Sequence, residues 1–558
     1  MLINTNRTLF SILTLAVVTL CCSQALIAAP FDQVKGNLII TVADYFTQHR
    51  SETSYFIKDQ SPAGRTYELH FVTQPKGGLR TGMTVTGRGR INGRFLEGAE
   101  ITAAESARVV SPQSAVSALT GNIIPVTGVR TTLLYVLQSA TTPNTFTNSQ
   151  INNTMFAQTG PSVNTLYQAN SYGSVSFAGT VVGPYTIAVP TSCNPSDLNS
   201  IQSQADQAAT AAGVDFSSYP YRIYMMPNEM TRYCGFGGVS YLGCCPGHSW
   251  INSGFYWTSG PGEYDVDVAL AHELGHQLNM QHAQGLLPNG GLVEYGDNSC
   301  NMGDEDYNVV GFNVPHLIEL GWLPLANVQQ VSAGGTYQVA FAEQQTTAVQ
   351  ALQIVVPGTA DPLYVSYRQP QGVNANLPSG FLGGASIQYW QGSNYKSQLA
   401  TNNAPYAGAL ADGQTYTSPN GYLSIQQIAH TSANVTVNVT MIPDTAPTIY
   451  SAVGGGTASQ PNIVVTGINL GNGVGSQTAG HVLCNSYENG AWNGWLAPTV
   501  TSVSTTADGT QATLTLQSNF TSVATQCGVE ISFNGKTSTA DTGIDGQTNP
   551  AITGVNVP

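Results

Sequence analysis

The sequence predicts a multidomain chain: an α/β domain in the middle, a small β-barrel before it and two all-β domains after it. Three features of the 558 residues carry that prediction. Strand-like and helix-like segments alternate between residues 119 and 325, short strands separated by Gly, Pro, Asn and Ser occupy both flanks, and the charge is divided unevenly. Residues 30–118 hold ten Lys and Arg against eight acids, a net of +2. From 119 onward six basic residues face twenty-three acids, and the whole chain reaches −14. Such an acidic body lacks the concentrated positive charge that phosphate binding requires, so no nucleic-acid partner is expected.

Residues 1–29 begin with Arg7, continue through the apolar run Leu9 to Cys22 and finish in Ala28-Ala29, the pattern of a secretory signal peptide. The protein is therefore expected to be secreted and extracellular. No later segment approaches the roughly 20 apolar residues of a spanning helix, so no membrane span is expected.

The 30–118 segment reads as a β-barrel, with an OB-type arrangement suggested by strands over Leu38–Val42, Tyr67–Phe71 and Gly82–Ile91. A basic segment ahead of an acidic body suits a propeptide docked by charge complementarity. A permanent N-terminal domain with a solvated basic face is the other reading.

Between 119 and 325 the pattern predicts strands over 129–137, 174–182 and 221–226 and helices over 150–158, 163–170 and 197–212, the last capped by Ser196 and stopped by Gly213. A further helix starts near Val266, after Pro261-Gly262. It carries His272-Glu273-Leu274-Gly275-His276, with His282 six residues on, in a chain of nine histidines. Residues four apart share a helix face, so His272 and His276 can aim at one metal ion with Glu273 beside them. Leu270, Leu274 and Leu278 form a second stripe about 200° away, which predicts one core face and one cleft face. A straight helix would turn His282 away. Asn279, the non-glycine residue that best tolerates the left-handed conformation, is the predicted bend.

Three neutral imidazoles with an open fourth position make a catalytic zinc site, at which a water's pKa falls toward ~7 and Glu273 can serve as general base. The expected reaction is peptide-bond hydrolysis without a covalent intermediate. A rival reading makes Glu294 the third ligand in place of His282; its surroundings, Gly290-Gly-Leu-Val-Glu-Tyr-Gly296, read as loop or strand rather than helix, which favours His282. His248 and His316 are read as structural or surface residues. Residues 30–118 contain no cysteine, so latency through a thiolate on the metal is excluded, leaving a carboxylate or a steric block.

This motif resembles the metzincin clan of zinc peptidases, whose extended pattern has glycine where this chain has Asn279. Met302, twenty residues after His282 in Tyr295–Gly303, corresponds to the methionine turn beneath the zinc ligands. Phe312-Asn-Val-Pro-His-Leu-Ile-Glu-Leu-Gly-Trp322 is similar to the stretch closing the catalytic domain in the gametolysin family. The resemblance implies a zinc-dependent endopeptidase acting on extracellular or cell-wall proteins and glycoproteins, with residues 119–325 as a metzincin-like catalytic domain. Some metzincins carry a transition-state tyrosine two residues after the methionine; here that position is Asp304, and Tyr295 or Tyr307 is left as a substitute.

Residues 326–442 alternate as an all-β domain, Ile442 to Pro447 reads as a linker, and 443–558 repeats the β signal. Within it Ile463–Gly471 resembles the opening of immunoglobulin-like TIG modules, which implies spacing, or attachment to a matrix or cell surface. Seven cysteines follow the signal segment. Cys484 and Cys527 are a plausible pair, the other five allow several pairings with one thiol left over, Cys300 would anchor the methionine turn if bridged, and Cys244-Cys245 would clamp a loop at the cleft rim. Asp304 and Asp306 give only a weak calcium signal. A second functional class is a catalytically inactive surface adhesion protein that binds through its β modules. Against it, His272, His276, His282 and Glu273 are all retained.

Overall fold

The computed structural model describes residues 31–61, 64–75, 79–103, 125–256, 265–288, 290–303, 309–355, 362–391, 396–400, 408–418, 423–441, 447–457, 459–471, 478–488, 491–506, 509–517, 527–533 and 536–538. The signal segment, Asp304, Asp306 and Tyr307 lie outside the described residues.

Five strands come first: β1 (Asp32–Tyr45), β2 (Arg50–Asp59), β3 (Thr66–Phe71), β4 (Thr84–Asn92) and β5 (Phe95–Ala103). β1 pairs with β2, β2 with β3, β3 in parallel with β5, β5 with β4, and β4 with the start of β1, so the pairing closes on itself. Period-2 alternation sends Leu38, Ile40 and Val42 inward onto Ile57, Leu69, Val85 and Leu96. β1 is fourteen residues long and outruns β4, and its far end, Thr41 to Asp44, pairs antiparallel with a strand of the α/β region.

That region contributes β6 (Gly128–Gln138), β7 (Val175–Thr186), β8 (Tyr221–Met225), β9 (Gly238–Tyr241) and β10 (Gly247–Ile251), in the order β9-β10-β8-β6-β7. All neighbours are parallel except β9, which runs antiparallel to β10. β6 is buried on both faces, hence its unbroken apolar run. Leu134 and Val136 pack with α1 (Asn148–Phe156), α2 (Val163–Asn170) and α4 (Val266–Gln277), while Leu133, Tyr135 and Leu137 face α3 (Pro195–Ala211). α1 and α2 begin with reciprocal caps, Thr147 with Gln150 and Ser162 with Thr165. The expected Ser196 cap of α3 is corrected to Asn194, whose side chain accepts from the backbone N–H of Ser196 and Asp197, with Pro195 in the first turn where its missing N–H costs nothing. α5 (Val314–Glu319) follows the metal segment.

Downstream lie β11 (Ala283–Leu286), β12 (Leu292–Val293), β13 (Val328–Val331), β14 (Gly335–Ala340), β15 (Ala351–Val355), β16 (Pro362–Tyr367), β17 (Ala385–Gln391), β18 (Lys396–Ala400), β19 (Thr415–Thr417), β20 (Leu423–His430) and β21 (Asn434–Met441). They form a seven-stranded sheet, β12-β11-β18-β17-β16-β15-β13, and a four-stranded sheet, β14-β21-β20-β19, around one apolar core. β11, which follows His282 directly, pairs in parallel with β18, so this sheet reaches back to the metal segment across residue 325.

The last eight strands are β22 (Thr448–Thr457), β23 (Gln460–Ile468), β24 (Thr478–Glu488), β25 (Ala491–Leu496), β26 (Val500–Thr505), β27 (Gln511–Leu516), β28 (Cys527–Phe533) and β29 (Lys536–Thr537). They make two four-stranded sheets with a common core that includes Ile463, Val465, Leu514, Val482, Val529 and Ile531. The register of β24 with β28 sets Cys484 opposite Cys527. Among the described residues no helix is long and apolar enough to cross a membrane. The chain is thus mostly β and multidomain, with the helices gathered around one mixed sheet.

Candidate metal centre

α4 packs against β9 and β10, and its residues from Val266 to Gln277 are buried except for Asp267, which is partly exposed. The expected open cleft face is therefore corrected. His272, Glu273, His276 and Gln277 are fully buried, because β1 lies along β9 and the N-terminal ring caps the site.

The chain reverses at Asn279, whose φ is +81°, and the N–H of Met280 then donates to the carbonyl of Gly275. The turn brings His282 back. The Nε2 atoms of His272 and His276 lie 3.1 Å apart, as do those of His276 and His282. Each Nδ1 has an acceptor of its own: the carbonyl of Asn301 for His272 and that of Met280 for His276, both at 2.8 Å, and the Glu294 carboxylate for His282 at 2.5 Å. A carbonyl accepts only, so His272 and His276 each spend their proton at Nδ1 and turn an Nε2 lone pair inward. Two lone pairs 3.1 Å apart repel unless a cation sits between them. Imidazole nitrogens at ~2.0–2.1 Å from a tetrahedral zinc ion would be about 3.3 Å apart, so this donor set fits the ion.

Glu294 does not compete with His282 for the metal; it orients it. The same carboxylate accepts from Ser51 Oγ at 2.8 Å and from Gln284, and Lys396 Nζ lies 3.5 Å away. Burial works against its charged form, but His282 and Lys396 outweigh that and hold it well below the usual carboxylate range. Glu273 lies under β9, where Ser240 Oγ donates to it. A Cβ built on Gly238 would fall 1.7 Å from Glu273 Oε1, so only glycine lets the carboxylate lie that close to the strand.

Met302 is buried directly below. Its sulfur would be 2.4 Å from a Cβ on Gly275, and its carbonyl accepts from the N–H of Ala283. Cys300 does not bridge: it is a free buried thiol, 3.5 Å from His316 Nδ1, with burial pushing its pKa up to about 12. The turn is held instead by Asp297, which accepts from Ser299 and from Asn313 Nδ2, and by Arg368 of β16, which donates to the Ser299 carbonyl. Cys244 and Cys245 bond to each other, and Cys193 bonds to Cys234. His248 and His316 are buried rather than on the surface, and burial lowers both to about 3.

Residues that sequence reasoning missed come from β1 and β9. Asp44 reaches the three imidazoles, with Oδ1 2.9 Å from His282 Nε2 and Oδ2 3.3 Å from His276 Nε2. Tyr295 Oη donates to Asp44 Oδ1 at 2.9 Å. Burial holds His272 and His276 down to about 4 against the pull of Asp44, so both are neutral at pH 7, as metal binding needs. For His282 the burial penalty is outweighed by Asp44 and Glu294, and its pKa rises to about 9. The signal for Asp44 was its register. Leu38, Ile40, Val42 and Asp44 share one face of β1, and a carboxylate in a core position has to be compensated by a partner.

Residues 128–306 match the reprolysin-like metallopeptidases of Metallo-peptidase family M12B. That span contains all three histidines, Glu273 and Met302, and the match supports a metzincin-like zinc metallopeptidase. Zinc is the metal that M12B metallopeptidases use, and the His272, His276, His282 and Asp44 cluster is where this chain can hold it. A peptidase of this family acts on protein substrates. No curated protein matches the chain.

Proposed function

We propose that the protein is a secreted zinc endopeptidase of the gametolysin type, made as a zymogen, that cleaves extracellular or cell-wall proteins and glycoproteins. The observation that carries the reading is the convergence of three Nε2 atoms next to a glutamate inside the span matching the M12B family. Zinc, when bound, supplies a Lewis acid that brings the pKa of a water toward ~7 and polarises the scissile carbonyl.

The chain's own residues do the rest. Asn301, Met280 and Glu294 fix the three rings through Nδ1. Glu273 takes a proton from the attacking water and returns it to the leaving amine, and Ser240 keeps its carboxylate in place. β9 offers its free edge to an extended peptide once β1 has left it, since strand addition supplies main-chain hydrogen bonds without regard to sequence. The substrate class rests on the resemblance of Phe312–Trp322 to the gametolysin stretch. In this reading the N-terminal ring is an OB-type barrel serving as propeptide, and the C-terminal sandwich is a TIG-like module that attaches the enzyme to a matrix or cell surface. The test is casein hydrolysis by the N-terminally trimmed protein. Activity abolished by o-phenanthroline and restored by zinc supports the reading, and a zinc-replete trimmed protein that cleaves no denatured substrate overturns it.

A further inference from the structure

We infer that Ser240, Ser249 and Gln277 form a one-way hydrogen-bond chain that positions Glu273, with Gln277 as the remote anchor that fixes its direction. The inference rests on the zinc-endopeptidase reading and adds positioning residues to that same site.

Glu273 and Gln277 are four residues apart, so they lie one above the other on the face of α4 turned to β9 and β10, beside the stripe that carries His272 and His276. The sheet answers with period-2 alternation. Gly238 and Ser240 of β9 and Gly247 and Ser249 of β10 share the face beneath α4, and the register sets Ser240 directly opposite Ser249. Ser240, Ser249, Glu273 and Gln277 are all fully buried. Apolar side chains would fill such an interface at no cost, whereas buried polar groups are costly unless each finds a partner.

The partners are found in one direction only. Gln277 Nε2 lies 2.5 Å from Ser249 Oγ and 3.4 Å from the Arg222 carbonyl. A carbonyl can only accept, so the amide end between the two is the NH2 group, and it donates to both. Ser249, having accepted, gives its one hydroxyl proton to Ser240 Oγ at 2.6 Å, and Ser240 gives its own to the Glu273 carboxylate. Each hydroxyl receives one hydrogen bond and gives one, and each polarises the next. The reverse order does not close: a hydroxyl proton of Ser249 turned toward Gln277 would meet N–H and find no acceptor. The proton that Glu273 takes from the water therefore does not drain into the sheet and stays available for the leaving amine. Glycines make the room at both ends, since a Cβ at Gly247 would lie 2.5 Å from Gln277 Oε1, as one at Gly238 would crowd Glu273.

The experiment has one arm without turnover and one with it. In the full chain, Ser249→Ala, Gln277→Met and the double variant are compared by Tm. Each single substitution strands a buried partner and should lower Tm by a few degrees, and the double should lower it by less than the sum of the two. Shifts that add overturn the chain. The kinetic arm uses the casein-cleaving protein of the chelator test. Ser249→Ala should lower kcat roughly 10–100-fold, with KM and the one zinc per chain unchanged. Gln277→Met, at the far end, should show the same split, and Ser249→Thr, which keeps the hydroxyl, should recover most of the rate. An unchanged kcat in Ser249→Ala, or a loss in Ser249→Thr as deep as in Ser249→Ala, overturns the positioning role. If the wild-type protein cleaves no casein, the endopeptidase reading fails and takes the positioning role with it, while the Tm comparison still decides the hydrogen-bond chain.

Discussion

The mixed sheet has two edges, and they are finished in opposite ways. β7 ends the sheet with half-exposed residues, a polar rim and Pro184, which cannot donate to a further strand. β9 ends it with Gly238, Val239, Ser240 and Tyr241, every one of them buried because β1 covers them. One edge is closed by its own composition; the other depends on a strand supplied by another part of the chain. In the proposed function this edge, beside a glutamate and three histidines, is the place for an extended peptide; in the structure the N-terminal ring covers it.

The sharpest way to break that contrast is at Glu273. Replacing it with Ala should lower casein hydrolysis by the trimmed protein about 10²–10⁴-fold while leaving one zinc per chain, measured by metal analysis beside kinetics. Normal turnover would mean that the β9 edge is not where the chemistry occurs. Next is Glu294→Gln, which removes the charge that orients His282; zinc affinity should fall about 10–100-fold in a chelator competition.

Two glycines, one per edge, sharpen the comparison. A Cβ at Gly179 of β7 would stand 1.7 Å from the Thr132 carbonyl oxygen, which is backbone, whereas at Gly238 of β9 it meets the movable end of Glu273. Gly179→Ala should destabilise by about 1–3 kcal/mol with unchanged kcat in the folded fraction, and Gly238→Ala should cost kcat with a smaller fall in Tm. The same ranking at both sites would erase the functional difference between the edges. The smallest effect is expected from removing residues 443–558. Among the described residues no strand of that sandwich pairs with the rest, so kcat/KM on soluble casein and the Tm of the remainder should hardly move.

Much of the centre was legible locally. The four-residue spacing of His272 and His276, the bend at Asn279 and the buried Met302 follow from helix geometry, the tolerance of asparagine for positive φ, and a motif that lies within one short stretch. Strands β6, β7 and β8 and helices α1 to α4 were readable for the same reason, with a cap misplaced by two residues at Asn194, whereas β9 and β10 were not foreseen. Less legible was anything made between distant segments. Glu294 looked like a rival ligand because spacing alone does not tell a metal ligand from a group one atom further out, bonded to Nδ1 of the ligand. The helix's polar face looked like an open cleft because nothing local announces that a strand more than two hundred residues earlier will cover it.

The sequence by itself determined which groups meet at the site: three imidazoles, a glutamate and a methionine, since periodicity places neighbours in sequence as neighbours in space. Only the tertiary structure decided what faces them. Asp44 and the three histidines meet through the pairing of β1 with β9, and strand pairing is set by long-range register and burial that no single segment contains.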